Sequence, residues 1–182
     1  MECKLPLLKT YIMPLGCDAL ETITKSCDNN TGGIRKIWLN DQENITTDPV
    51  VAVNGEVNTL ASSVNYTEFE INRNTGNYTE DTAVDLINGS TFVTQTITLM
   101  FNRRDKDKSE AINILASGQR YLTAIVLDAN GLYWFFENLQ LTATGEGSGT
   151  NRADGSKYSV TLLAEADHLS WEITEAAVNN NI

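Results

Sequence analysis

Side chains that commonly do chemistry in enzymes are sparse in this sequence. Its one histidine, His168, lies in the run Glu165-Ala166-Asp167-His168, which predicts a surface turn. A catalytic site of the Ser-His-Asp or Cys-His kind would have to use this histidine, because the serine or cysteine nucleophile needs a base within hydrogen-bond reach. Nothing around His168 in the sequence indicates the perturbed environment that catalysis requires. We therefore expect a solvated His168 and no catalytic residue.

Two short runs resemble ligand-binding loops and then depart from them. The run Asp105-Lys106-Asp107-Lys108-Ser109 begins like a calcium loop, but it lacks the central glycine, and its twelfth position is Ala116 rather than glutamate. The segment Gly145–Gly149 is rich in glycine, yet no Lys-Ser/Thr pair follows, so it is not a phosphate-binding loop. We expect neither a metal nor a cofactor.

The cysteines also favour a simple interpretation. There are three, Cys3, Cys17 and Cys27, an odd number without the close pair that a zinc site needs. The run Met13–Cys17 resembles a bacterial lipoprotein cleavage site, but Lys9 interrupts the apolar segment before it. We expect free thiols and no export, and no segment is apolar and long enough to span a bilayer.

The charge of the chain excludes one class of nucleic-acid protein. The formal net charge is −11. A duplex-binding groove needs clustered lysine and arginine to replace counterions, and this balance argues against one. A strongly acidic surface instead repels DNA that must slide past it.

The clearest structural signal is the run from Thr91 to Asn102. Two rows of side chains alternate along it: the apolar Val93, Ile97, Leu99 and Phe101, and the polar Thr94, Thr96 and Thr98. Period-2 alternation of β-branched residues predicts a strand with one buried and one polar face. Gln95 falls in the apolar row and is the departure from the pattern.

Turn signals and shorter apolar runs predict the other strands. These are Ile34–Leu39, Val50–Val53, Val64–Ile71, Tyr121–Leu127, Leu132–Phe136, Leu139–Thr144, Tyr158–Ala164 and an edge strand at Trp171–Ile173. The continuous apolar character of the hairpin at Tyr121–Phe136 suggests burial on both faces. The polar segment Asn72–Ser90 is expected to be a long loop, which in a compact domain is usually functional.

One helix is expected, at about residues 107–117. Asp107 is the expected N-cap, with Glu110 as its capping-box partner and Gly118 as the stop. Residues 1–32 are expected to form an extended N-terminal arm and 33–175 the body of a single domain spanning 1–182. Many strands and one helix predict a mainly β fold, a β-sandwich or partial barrel with one packed α-helix.

The order of several short motifs along the chain carries a resemblance to a known family. They are Gly16-Cys17-Asp18 in the arm, Thr31-Gly32-Gly33 before Ile34–Leu39, Tyr66–Ile71 followed by a loop, Gly89-Ser90-Thr91-Phe92 opening the long strand, Phe101-Asn102-Arg103-Arg104 ending it, the helix, and a hairpin ending in Gly131-Leu132-Tyr133-Trp134. In this order the chain resembles the tail-tube and ring-type structural proteins of tailed bacteriophages, particularly phages of Bacteroides-like bacteria, including crAss-like phages.

That resemblance implies a virion protein rather than an enzyme, assembled in the cytoplasm of the host bacterium. Its subunits would form hexameric rings that stack into or cap a tail tube, with other tail or connector proteins as further partners and no membrane contact. DNA would pass through the channel during ejection without specific binding. Each subunit would give two long strands, Val64–Ile71 and Thr91–Asn102, to a barrel around that channel.

The resemblance also assigns roles to particular residues. The expected lumen-facing side chains are Glu68, Glu70, Thr94, Thr96 and Thr98. The expected inter-ring loop, Asn72–Ser90, carries Asn77, Glu80, Asp81 and Asp85. The N-terminal arm would make similar contacts with a neighbouring ring.

Two alternatives stay open. A secreted or surface β-sandwich that binds carbohydrate would use aromatic side chains, with Trp38, Tyr133 and Trp134 as candidates, although such residues are more often core. A glycosidase also stays open, because its carboxylate pair is defined by separation in space rather than in sequence.

Overall fold

The computed structural model describes residues 23–52, 55–145 and 147–182. In these ranges the chain forms ten strands and two α-helices: β1 (Ile34–Asp41), β2 (Ile45–Val51), β3 (Glu56–Ser62), β4 (Thr67–Glu68), β5 (Gly76–Asp85), β6 (Ser90–Asn102), α1 (Lys106–Ala116), β7 (Leu122–Asp128), β8 (Tyr133–Gly145), β9 (Lys157–Ala166), β10 (Trp171–Ile173) and α2 (Glu175–Asn179). The predicted fold class, a mainly β sandwich or partial barrel with a packed helix, is confirmed.

The strands form two sheets that share one strand. The first sheet has the order β2-β3-β10-β8-β7-β1-β4, and it is antiparallel except for the pair β10 and β3. The second sheet has the order β5-β6-β9-β8 and is antiparallel throughout. The first sheet curls, and the second continues from it through β8.

The shared strand changes sheets at its middle. β8 pairs with β7 as far as Leu139 and with β9 from Gln140 onward. Asn138, just before the change, has a φ of +56°, the kind of local irregularity that bends a strand. The two strands predicted at Leu132–Phe136 and Leu139–Thr144 are therefore one bent element, which is a correction.

Apolar side chains are buried on both faces of the first sheet. The intersheet cluster lies between the sheets and includes Ile37, Leu99, Val126 and Leu162. The far-side cluster lies on the other face of the first sheet and consists of Trp38, Val57, Leu60, Tyr66, Ile125, Phe135, Ile173, Ala177 and Val178. Neighbours along β7 alternate between the clusters, which confirms the predicted burial of this hairpin on both faces.

Helix α1 begins slightly earlier than predicted. Asp105, not Asp107, is the N-cap, and its carboxylate accepts a hydrogen bond from the Lys108 backbone N–H. Asp107 lies within the first turn, where its charge favours the positive end of the helix dipole. Ile112 is the buried residue of the helix and belongs to the intersheet cluster.

The C-terminal region differs from the prediction in two ways. β10 was expected at a sheet edge, but it lies between β8 and β3. α2, capped by Thr174, extends beyond the predicted end of the body at residue 175. A five-residue helix is too short to show helical periodicity in sequence.

Part of the predicted N-terminal arm lies in the described residues. Residues 23–32 are exposed and form neither helix nor strand, and Cys27 is an exposed free thiol. The rest of the arm, with Cys3, Cys17 and the lipoprotein-like run, lies outside the described residues, as does the Val53-Asn54 part of the predicted hairpin at Gly55. Across the described part of the chain, no helix is long and apolar enough to cross a membrane.

Candidate functional site

Strand β6 carries the two faces that its alternation predicted. Val93, Gln95, Ile97, Leu99 and Phe101 are all buried, whereas Thr94, Thr96 and Thr98 are partly exposed on the opposite face. Every second side chain of a strand points the same way, so the three threonines form one outward row.

Neighbouring strands extend this row into a surface. Register pairs Thr96 with Thr79 on β5, and Thr98 with Thr161 on β9. Paired residues share a face, so the outward surface, here called the threonine face, consists of Asn77, Thr79, Asp81, Thr94, Thr96, Thr98, Thr161, Leu163 and Glu165. It carries hydroxyls and two carboxylates, with Leu163 as its apolar member. Phe92 and Met100 continue the same outward row of β6 toward its two ends.

The strand predicted to line a channel beside β6 lies elsewhere, which is a correction. Within Val64–Ile71 only Thr67–Glu68 pairs as a strand, and it pairs with β1 at the far edge of the first sheet. Glu68 forms a 3.1 Å ion pair with Lys36, and Glu70 is exposed nearby. The side chain of Tyr66 is buried and bonded to Thr123, which fixes the chain against the first sheet.

The segment Asn72–Ser90, predicted to be a loop, is mostly strand, which is a correction; its inter-ring role stays a prediction. Asn77, Glu80, Asp81 and Asp85 belong to β5, which pairs with β6 along its whole length. Gly76 makes this possible: a Cβ there would lie 2.9 Å from the Ile71 side chain, so β5 begins where the backbone passes closest to the core. Asn77 and Asp81 lie on the threonine face, whereas Glu80 points inward.

Glu80 and Gln95 form the centre of a buried polar cluster. The Gln95 side-chain amide donates to the Glu80 carboxylate and to the His168 carbonyl, at 3.1 Å each. The same carboxylate accepts from the Ser170 backbone N–H at 2.6 Å and from the Ser170 hydroxyl at 3.0 Å. Gln95 is thus satisfied inside the apolar row, and the cluster ties β5 and β6 to the segment before β10.

His168 is partly buried rather than solvated, which corrects the sequence expectation. Its ring stacks on Trp171 with centroids 3.8 Å apart, and its Nε2 lies 3.6 Å from the Glu137 carboxylate. Burial lowers the pKa of His168, but the Glu137 carboxylate and the Leu169 carbonyl outweigh it, and the net pKa lies above its ordinary value. No nucleophile is placed beside this ring among the contacts described.

The β5–β6 hairpin projects beyond the core and ends in apolar side chains. Leu86 and Ile87, at its tip, are 90% and 95% exposed. Val84 and Phe92 flank them and are also exposed. The Asp85 carboxylate accepts hydrogen bonds from the Ile87 and Asn88 backbone N–H groups, and the side-chain amide of Asn88 lowers the pKa of Asp85 most. The tip is therefore an ordered turn that is both apolar and acidic.

One edge of the second sheet is open along β5. The Met100 N–H donates to the Thr75 carbonyl, so odd-numbered residues of β5 form the hydrogen-bonded pairs with β6. The N–H and C=O groups of even-numbered residues, including Thr82 and Val84, therefore point away from β6. In the described ranges no hydrogen bond reaches these two residues from that side.

The opposite edge of the second sheet is formed by the second half of β8. From Gln140 onward β8 pairs with β9 alone, because its pairing with β7 ends at Leu139. The second sheet thus ends in β5 on one side and in residues 140–145 of β8 on the other.

The aromatic candidates for sugar binding do not form an exposed platform. Trp38 is 5% exposed and packs against Tyr133, with centroids 6.3 Å apart. Trp134 is partly buried and donates its indole N–H to Asp128. Among the described residues no group of three or more His, Cys, Asp or Glu side chains is placed to hold a metal ion.

Comparison of the chain with protein-family models, curated proteins and solved structures finds no match. The functional argument therefore rests on the geometry of the second sheet: its polar outer face, its open edges and its projecting hairpin. Sequence alternation located the threonine row, but the pairing of β5 with β6 and the inward direction of Glu80 required the structure.

Proposed function

We propose that this chain is a virion structural subunit that associates with copies of itself into a ring, and that such rings stack into or cap a tail tube conducting DNA. The observation that carries the proposal is the second sheet, whose outer face is polar across the threonine face and whose two outermost strands have open edges. The order of motifs along the chain, with its resemblance to phage tail-tube proteins, supports the virion setting and hexameric symmetry.

The directions of the strands suit a ring. The four strands of the second sheet alternate in direction, so β8 runs antiparallel to β5. In a cyclic arrangement the free edge of β8 in one copy meets β5 of the next copy, and the antiparallel pattern continues without a break. Such a contact uses two different surfaces, and it satisfies every subunit once the ring closes. Closure also removes the long open edge of β5, which would otherwise invite uncontrolled pairing.

The threonine face suits the wall of a channel. Inward and outward residues alternate along each strand of a closed barrel. If the face of the second sheet that packs on the intersheet cluster points away from the barrel axis, the threonine face points into the lumen. Its hydroxyls hold water, and Asp81 and Glu165 add negative charge. Passing DNA meets weak repulsion there instead of the lysine and arginine that would retain phosphates. Glu68 and Glu70 have no place in this wall.

Electron microscopy and native mass spectrometry of the purified protein test the proposal. We expect closed rings of one size, hexameric if the resemblance holds. Particles that stay monomeric at every concentration would overturn it.

A pair of substitutions on β5 tests which edge closes the ring. Thr82→Pro removes an N–H that points away from β6, so the internal ladder is kept while pairing with a neighbouring strand is blocked. Thr82→Val keeps that N–H and is the matched control. We expect folded monomers from Thr82→Pro and rings from Thr82→Val; rings of normal size from both variants would exclude β5 as the closing edge.

A further inference from the structure

A polar cavity lies at one end of the first sheet, where β1 ends and β7 begins. Its volume is about 410 Å³, within the roughly 300–1,000 Å³ that small-molecule sites occupy. It is lined by Asp41, Gln42, Glu43, Gln119, Arg120, Tyr121 and Asn138. We call this the sheet-end cavity.

Three separate segments of the chain form this cavity. They are the 3₁₀ turn Gln42–Asn44 after β1, the 3₁₀ turn Ser117–Gln119 before β7, and Asn138 at the bend of β8. The Gln42 backbone N–H donates to the Tyr121 carbonyl at 2.9 Å, which joins the first two segments. The Gln140 side-chain amide donates to the Gln119 carbonyl at 3.3 Å, which joins the second segment to β8. The cavity is therefore held by the fold at each of its sides.

Hydrogen bonds also fix several of the lining side chains. The Gln42 side-chain amide donates to Asn138 Oδ1, and its oxygen accepts from the Asn138 backbone N–H, at 3.0 Å each. Arg120 forms a 3.1 Å ion pair with Asp41. A side chain that is already fixed loses little freedom when it binds a ligand, so these polar groups are preorganised.

Two lining residues adopt a backbone conformation that residues other than glycine seldom take. Gln119 has a φ of +50° and Asn138 a φ of +56°. Asparagine tolerates this left-handed region, but glutamine has no such preference. Of the four non-glycine residues with positive φ in the described ranges, these two share one cavity. Backbone strain of this kind gathers at functional sites, and it gives the sheet-end cavity a second mark of a binding site.

The composition of the lining narrows the class of ligand. No lining side chain is aliphatic, so an apolar ligand gains little there. Two carboxylates stand against one guanidinium, itself paired with Asp41, and this balance disfavours an anion. In the described part of the chain no group of three or more His, Cys, Asp or Glu side chains is placed to hold a metal ion. A neutral ligand with many hydroxyl groups fits best.

Sugars have the matching chemistry. Carboxylate, amide and guanidinium groups each present two polar atoms in one plane, so one side chain can bind two neighbouring hydroxyls of a sugar ring. Six of the seven lining side chains are of these types. The seventh, Tyr121, is 56% exposed and offers an aromatic face on which the C–H side of a sugar ring can pack. Among the described residues no hydrogen bond engages the Tyr121 hydroxyl or the Glu43 carboxylate, so both are available to a ligand.

We propose that the sheet-end cavity binds a neutral sugar, with Tyr121 as its stacking face and Asp41, Gln42 and Asn138 as its hydrogen-bonding groups. None of the aromatic residues that the sequence suggested for sugar binding takes part. The site lies within one chain, so the proposal does not rest on ring formation.

NMR titration of the isotope-labelled full chain tests the site. The probes are the methyl glycosides of glucose, galactose, mannose and N-acetylglucosamine, with glucuronic acid as the anionic comparison. We expect at least one neutral sugar to cause saturable shifts in the amide signals of Gln42, Tyr121 and Asn138, and glucuronic acid to bind more weakly. If no neutral sugar causes saturable shifts at these residues, or if glucuronic acid binds most tightly, the proposal is overturned.

Substitutions in the lining assign the binding to this cavity. Tyr121→Ala and Asp41→Asn should each weaken sugar binding about tenfold, through loss of the stacking face and of a charge-assisted hydrogen bond. Tyr121→Phe keeps the ring and should retain most of the affinity. Phe92→Ala, which removes an exposed aromatic side chain of β6, is the matched control and should bind normally. Equal losses from Tyr121→Ala and Phe92→Ala would overturn the site.

Gln119→Gly separates binding from a purely structural role. Glycine adopts a positive φ without strain, so this variant should keep or raise the midpoint of thermal unfolding while it weakens sugar binding. A lowered midpoint with unchanged affinity would overturn the assignment of this strain to binding. Sugar binding should also persist in Thr82→Pro monomers. Failure of ring formation therefore leaves the sugar site standing, and absence of sugar binding leaves the ring proposal standing.

Discussion

Glu80 is the residue on which the packing of the hairpin depends most directly. Its carboxylate accepts from Gln95 and twice from Ser170, and Ser170 is 8% exposed. Glu80→Ala leaves these buried donors without an acceptor, at a cost of about 1–3 kcal/mol for each group that water does not reach. We expect the free energy of unfolding, measured with urea, to fall by about 2–4 kcal/mol.

Glu68 supplies the matched control. It is exposed, and its ion pair with Lys36 lies at the surface, so Glu68→Ala should change the free energy of unfolding by less than about 1 kcal/mol. Similar losses from the two substitutions would contradict the assigned role of Glu80. The comparison is informative because the sequence analysis gave both acids functional roles, whereas the structure places Glu80 inward, partly buried and hydrogen-bonded, and leaves Glu68 exposed.

His168 provides a prediction about pH. Its pKa lies above the ordinary 6.5 in the folded protein, through the Glu137 carboxylate and the Leu169 carbonyl acting against burial. Because the pKa is raised on folding, protonation of His168 stabilises the folded protein. This stabilisation is fully present below the unfolded-state pKa and is lost as the pH rises through the folded-state pKa. NMR titration of the single imidazole should give a midpoint above 6.5.

Substitutions of the two neighbouring acids identify the cause of this shift. Glu137→Gln should lower the midpoint, since burial then acts against a weaker partner. Asp167→Asn should lower it less, because Asp167 contributes the smallest of the favourable effects. A midpoint that ignores Glu137→Gln would show that the 3.6 Å approach of Glu137 to the ring does not persist in solution.

At the scale of elements, β6 allows its two faces to be compared on one strand. Leu99 is fully buried in the intersheet cluster, so Leu99→Ala should cost about 2–5 kcal/mol. Thr96 is partly exposed on the threonine face, so Thr96→Lys should cost less than about 1 kcal/mol. Thermal unfolding followed by circular dichroism measures both changes. A Thr96→Lys variant that does not fold would reverse the assignment of faces.

The sequence predicted β6 and missed its partner for a physical reason. β6 buries its inward row almost completely, so its pattern is strongly alternating. Along β5 the inward positions are Tyr78, Glu80, Thr82 and Val84. Thr82 and Val84 are exposed beyond the core, and Glu80 is held by hydrogen bonds. Hydrogen bonding and the register of β6, rather than burial of apolar side chains, make this segment a strand.

The opposite error occurred at Val64–Ile71. Phe69 and Ile71 both pack on the intersheet cluster, so their spacing correctly predicts that these two side chains share one inward face. The main chain there bonds to β1 at a few points only, with Phe69 donating to the Ile37 carbonyl. Apolar spacing reports which side chains are buried, but it does not report whether a neighbouring strand is present for the main chain.

At the scale of the whole molecule, the shared strand couples the two sheets. Phe135 of β8 belongs to the far-side cluster and Phe136 to the intersheet cluster, and the same strand then continues into the second sheet. Neither cluster can lose β8 without exposing the other. The sequence analysis did not predict this coupling, because it divided β8 into two strands at the bend where β8 changes sheets.

This coupling predicts that the described fold unfolds in one transition. Trp38 and Trp171 lie in or against the far-side cluster, whereas Trp134 packs against the intersheet cluster. In a Trp134→Phe background, tryptophan fluorescence therefore reports on the far side, whereas far-ultraviolet circular dichroism reports on all strands. Ile125→Ala in the far-side cluster and Leu162→Ala in the intersheet cluster remove fully buried side chains. Each should lower the urea midpoint seen by both probes together, by an amount that corresponds to about 2–5 kcal/mol. If Leu162→Ala instead moved the dichroism midpoint and left the fluorescence midpoint in place, the two clusters would be separate cooperative units, and β8 would be a linker between them rather than a shared strand.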